Sequence, residues 1–117
     1  MKTSIRFFEN IPVRSVWNQG NSEWLFSAVD IVKAVTKSHN QRVYWNSIKR
    51  RKSELSTVCR QLKLKSSDGK SYFTDVLDSD AVSMVLEIIK SKNNYAFSGW
   101  FKKSIDSIDT RSKEKAY

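Results

Sequence analysis

The apolar positions of the chain change their spacing several times, and each change marks an element. Ile5 to Phe8 and Val13 to Trp17 are short β-prone runs with Glu9-Asn10 as a turn between them and Pro12 where a strand can begin. In the second run Val13, Ser15 and Trp17 alternate with Arg14, Val16 and Asn18. Asn18 to Ser22 reads as a hairpin loop before a third run, Glu23 to Phe26, so that Trp17 and Trp24 can face each other as a cross-strand pair. These runs predict a small antiparallel sheet near the N-terminus.

At Ser27 the spacing becomes helical. Ser27 suits an N-cap with Asp30 three residues on, and Ala28, Ile31, Val32 and Val35 form one apolar stripe in a helix that runs to about Thr36. A polar connection follows, in which Ser38 or Asn40 could cap a second helix from Asn40 to Leu55. There Tyr44, Ile48 and Leu55 can share a core face, with Arg42, Trp45, Lys49 and Lys52 on another. Val58 to Lys65 reads as a strand with Arg60, Leu62 and Leu64 on one side and Gln61, Lys63 and Lys65 on the other. Asp68-Gly69 signals a hairpin turn, and Ser71 to Phe73 returns. A basic helix followed by a cationic hairpin has the outline of a winged helix.

Asp78 or Ser79 begins the next helix, whose stripe of Val82, Val85, Leu86 and Ile89, widened by Ala81 and Ile88, predicts the most buried helix of the chain. Ser91 to Asn94 breaks it. A last helix starts near Tyr95 with Phe97, Trp100, Phe101, Ile105 and Ile108 on one face. Gly99 within it costs up to ~1 kcal/mol relative to alanine and would suit a close helix contact. The pattern predicts an α+β fold: a small antiparallel sheet and hairpin packed with about four helices as a single compact domain. That domain spans residues 1–108, and residues 109–117 form a polar tail or the start of a linker.

Composition sharpens this picture mainly through charge. At 117 residues the chain can build one core, and 39% hydrophobic with 28% charged residues is a globular balance. Its net charge is +9, and residues 37–70 carry ten cations against only Glu54 and Asp68. The first 36 residues hold four cations and three anions, and residues 71–117 hold seven of each. Charge that only kept the protein soluble would not cluster so, whereas a focused field suits a phosphate backbone or an acidic partner.

Other chemistry has little to stand on. Cys59 is the single cysteine and His39 the single histidine, so neither an internal disulfide nor a closed Cys/His zinc set can form within the chain. His39 reads as a surface or capping residue, and Cys59 as a buried thiol. Asp75, Asp78 and Asp80 have the spacing of a cation loop without its glycine or terminal glutamate, and helix capping accounts for them better. Three glycines make no phosphate loop. No cofactor and no enzymatic activity are expected. Without a signal-like apolar run or a span of membrane length, the chain is expected in the cytoplasm, with no membrane partner.

The order of the pieces adds a class of partner. Ile5-Arg6-Phe7-Phe8, Val13-Arg14-Ser15-Val16 and Glu23 to Ile31 (EWLFSAVDI) resemble the opening of the Bro-N domain, found in prophage antirepressors and baculovirus repeated-frame proteins. Tyr44-Trp45, Lys49-Arg50, Gln61-Leu62-Lys63-Leu64, Asp68-Gly69-Lys70 and Phe73-Thr74-Asp75-Val76 are similar to a bacterial subgroup of those antirepressors, and the resemblance covers roughly residues 5–104. It implies an α+β DNA-binding domain, usually at the N-terminus of a longer regulator. It carries over no catalytic residue and does not say which side chains touch bases.

On this reading Arg42, Lys49, Arg50 and Lys52 are the leading backbone contacts, and Lys63, Lys65 and Lys70 contact phosphates from the hairpin. Asn40, Gln41 and Asn46 could read base edges, since their amides pair with adenine in the major groove. Arg51 lies nearer the apolar side, where its stem can cover core. Trp45 is a stacking platform or, as is commoner for a helical tryptophan, core. The expected partner is double-stranded DNA. The alternative is an antirepressor module that holds a repressor or another acidic protein. A homodimer would double the contacts. An enzyme acting on nucleic acid would need carboxylates beside the basic face, which offers only Glu54 and Asp68.

Overall fold

The computed structural model describes the backbone of residues 2–115 and the side chains of residues 3–105. Five strands, β1 (Lys2–Phe8), β2 (Ile11–Asn18), β3 (Glu23–Ser27), β4 (Arg60–Lys65) and β5 (Ser71–Leu77), form one antiparallel sheet in the order β1-β2-β3-β5-β4. Five helices accompany it: α1 (Ala28–Thr36), α2 (Gln41–Arg51), α3 (Glu54–Val58), α4 (Ser79–Ile88) and α5 (Asn94–Lys115). The chain is a single α+β domain, as its pattern predicts.

Local chemistry explains the first hairpin. Phe8 pairs with Ile11, leaving Glu9 and Asn10 as a two-residue loop with φ of 49° and 69°. Positive φ at both central residues gives the turn the twist that adjacent strands need. Trp17 pairs with Trp24 across the next loop, their ring centroids 5.3 Å apart.

The sheet splits at its middle. β3 meets β5 only through Phe26 with Leu77 and Ser27 with Val76, while β2 and β5 run on past that point. α1 starts at the next residue and packs against both. Its Asp30 carboxylate accepts the Arg14 backbone N–H at 2.9 Å, satisfying a donor that a longer β3 would have paired. Ser27 Oγ caps α1 by accepting the Asp30 N–H.

The main core joins Phe8, Val13 and Phe26 of the sheet to α1, α2, α4 and α5. Val16, Leu25, Leu64 and Val76 form a smaller cluster, which strand alternation places on the other face. In α5, Phe101 packs edge-on against Phe26 at 4.8 Å, and Phe97 against Phe8 at 5.2 Å.

Several expectations need correction. The most buried helix is α1, not α4: Ala28, Ile31, Val32, Ala34 and Val35 are all 0% exposed, because α1 fills the split in the sheet. The basic helix is two helices. Its chain leaves the helical conformation at Lys52 (φ −124°, ψ 84°), so the cation run is a C-terminal turn, where the helix dipole favours positive charge. Leu55 reaches the core from α3 instead. Val58 belongs to α3, and strand β4 begins at Arg60. The hairpin β4–β5 is no separate wing but the edge of the main sheet. Gly99 faces open space and makes no close helix contact. α5 continues to Lys115 through residues read as a tail, and the Ile108 side chain lies outside the described residues.

Candidate nucleic-acid interface

Helix α2 lies beside the hairpin β4–β5, and Asp75 of β5 fastens the two. Its carboxylate accepts from Trp45 Nε1 at 2.7 Å, Lys49 Nζ at 2.7 Å and Gln61 Nε2 at 3.2 Å. Burial opposes the charged form of Asp75, but these hydrogen bonds outweigh it and hold the carboxyl below its usual range. The indole N–H is satisfied, so the ring can bury completely, and Trp45 is core while Tyr44 is at the surface. On the core face expected of this helix Trp45 takes the place of Tyr44, whereas Ile48 and Leu55 are buried as expected. Asp75 is a strand residue, not a helix cap; Asp78 does cap α4, accepting the Ala81 N–H at 2.8 Å.

This pairing changes the role of Lys49. With its ammonium 2.7 Å from a carboxylate that is only 10% exposed, Lys49 neutralises Asp75 and is not an uncommitted phosphate contact. Beside it, burial first and then Asp75 push the Cys59 thiol up to about 11, so it stays protonated at neutral pH.

The remaining predicted residues fall into three places. Arg42, Asn46 and Arg50 follow each other at four-residue steps, one stripe of α2. Arg42 and Asn46 line a cleft of about 210 Å³ between helix and hairpin, with Lys49, Gln61, Phe73 and Asp75. Arg50 continues the stripe beyond the cleft. On the hairpin, the Lys63 ammonium sits 5.2 Å from the centre of the exposed Phe73 ring, and Lys65 lines an adjoining cleft at the split of the sheet. Lys70 belongs to the turn, where Asp68 accepts its N–H at 2.9 Å and the Tyr72 hydroxyl at 2.6 Å. That hydroxyl bond lowers the Asp68 carboxyl and raises the Tyr72 phenol. Lys52 is exposed at the C-terminus of α2, away from both clefts. Arg51 is exposed on the other flank of α2, where it lines a shallow groove with Asn40, Val43 and Tyr44, so its stem does not cover core.

Sequence reasoning missed Arg14, Lys33, Gln61 and Phe73 as neighbours of this surface. Arg14 grips Asp30 through Nε at 2.8 Å and donates to the Lys65 carbonyl at 3.1 Å, tying the hairpin to the body of the sheet. Gln61 carried a signal, since it precedes Lys63 and Lys65 on the same side of the strand. Among the described residues no helix is long and apolar enough to cross a membrane. No family model, no curated protein and no solved structure matches this chain.

Proposed function

We propose that this domain binds double-stranded DNA through α2 and the hairpin β4–β5, as a transcription regulator of the prophage-antirepressor type. The observation that carries this reading is the juxtaposition of Arg42, Asn46 and Arg50 on one helix stripe with Lys63 and Lys65 on the neighbouring hairpin. Cations from a helix and from the hairpin beside it suit a phosphate backbone, and Asn46 between two arginines suits a base edge. The resemblance to Bro-N domains points to the same class of partner. Lys49 contributes by holding α2 on the hairpin through Asp75.

Fluorescence anisotropy on short duplexes across a salt series tests it, with single-stranded DNA and RNA as competitors. The expected slope of log affinity against log salt is steep, on the order of −4 if about five phosphates are neutralised. A flat slope, or full competition by RNA, would sink the duplex reading.

One observation favours a second reading. Val43 is 65% exposed on the outer side of α2 and lines, with Tyr44 and Arg51, an apolar groove of about 320 Å³. An apolar strip bordered by arginine suits a protein with acidic and apolar side chains, such as a repressor. A parent that captures the cognate repressor but binds no duplex, with capture lost in V43E, would favour this alternative.

A further inference from the structure

The split in the sheet opens a second cleft, of about 480 Å³, where elements far apart in sequence converge. Lys33 comes from α1, Arg42 from the first turn of α2, Lys65 from the end of β4, and Ser66 and Ser67 from the hairpin turn. Its single lining acid, Asp30, is already occupied: Arg14 binds it through Nε at 2.8 Å and through a terminal nitrogen at 3.1 Å. Lys33, Arg42 and Lys65 make no ion pair among the described residues.

Three uncompensated cations around one concave site repel one another, and low-dielectric walls strengthen the field between them. The start of α2 adds to it. Asn40 makes no side-chain capping bond there and no acid occupies the first turn, so the positive end of the helix is not offset. Arg14 also ties the hairpin wall to the body of the sheet by donating to the Lys65 carbonyl at 3.1 Å. A cationic, serine-edged cleft has the donors that a multiply bonded oxyanion needs.

We propose that this cleft is a phosphate-binding site formed by Lys33, Arg42 and Lys65, and that it seats a backbone phosphate of the bound nucleic acid. The second half rests on the duplex-binding reading; the first half rests on the cation cluster alone.

The test compares the parent with K33Q/K65Q and with K102Q/K103Q, which removes equal charge from exposed positions on α5. In the first arm, inorganic pyrophosphate at low ionic strength is expected to raise the thermal midpoint of the parent and of K102Q/K103Q but not of K33Q/K65Q. No shift in the parent, or an equal loss in both variants, overturns the site whatever the DNA result. In the second arm, the salt slope for duplex binding is expected to become shallower by about one in K33Q/K65Q, the loss of one phosphate contact, and to hold in K102Q/K103Q. A parent that binds no duplex, or a K33Q/K65Q slope equal to that of the parent, would overturn the nucleic-acid assignment. With the pyrophosphate result intact, the phosphate would then belong to another ligand.

Discussion

Asp75 receives hydrogen bonds from Trp45, Lys49 and Gln61, and its charge decides what Lys49 is able to do. Replacing it by asparagine keeps the shape but removes the charge on which three donors converge, leaving Lys49 half-buried without a counter-ion. D75N is expected to lower stability by about 1.5–3 kcal/mol, read from urea unfolding at neutral pH. The pH dependence follows from the lowered native carboxyl. A depressed native value gives stability that is complete above the unfolded carboxyl range, near pH ~4, and lost as pH falls through the native value. The gap between parent and D75N should therefore be full at neutral pH and close in acid. An undiminished gap at the lowest pH where the fold survives would assign the loss to packing instead.

At the scale of elements, α2 and the hairpin form one unit, so charge reversals on them are not equivalent. K49E would set a second carboxylate against Asp75 and is expected to destabilise the fold, which makes it a poor probe of DNA contact. Arg42, Arg50 and Lys63 are exposed and carry no ion pair among the described residues. The triple variant R42E/R50E/K63E is expected to abolish duplex binding while shifting the thermal midpoint little. Unaltered duplex affinity in that variant, with its fold intact by circular dichroism, would exclude this face as the DNA contact. The sequence concentrates these cations in residues 37–70 but could not separate them. Lys49 and Arg50 are neighbours in the same basic run, and only the position of Asp75, 25 or 26 residues on, gives them different roles.

Across the whole molecule, α5 closes the core over the sheet. Phe101 is 5% exposed and packs on both Phe26 and Phe97. F101A is expected to cost about 3–5 kcal/mol, a large share of the stability of a domain this size, measured by thermal or denaturant unfolding. A midpoint near that of the parent would mean that α5 is not a structural part of the core. The aromatic spacing of α5, the stripes of α1 and α4 and the three N-terminal strands were all legible, because each is a local repeat tied to helix or strand geometry.

What the sequence determined by itself was the α+β class, the order of the strands and of every helix but α3, the Ser27 and Asp78 helix starts and the concentration of charge in residues 37–70. These depend on neighbours within a few positions. The tertiary structure alone decided that Trp45 is core, that Lys49 is spent on Asp75, and that α1 enters a split sheet. It also brought Lys33, Arg42 and Lys65 around one cleft. Those outcomes depend on pairings between distant segments, Arg14 with Asp30 and with Lys65 among them. A partner's charge or an unfinished strand edge leaves no periodic trace in the residues it affects, so no local pattern could have announced them.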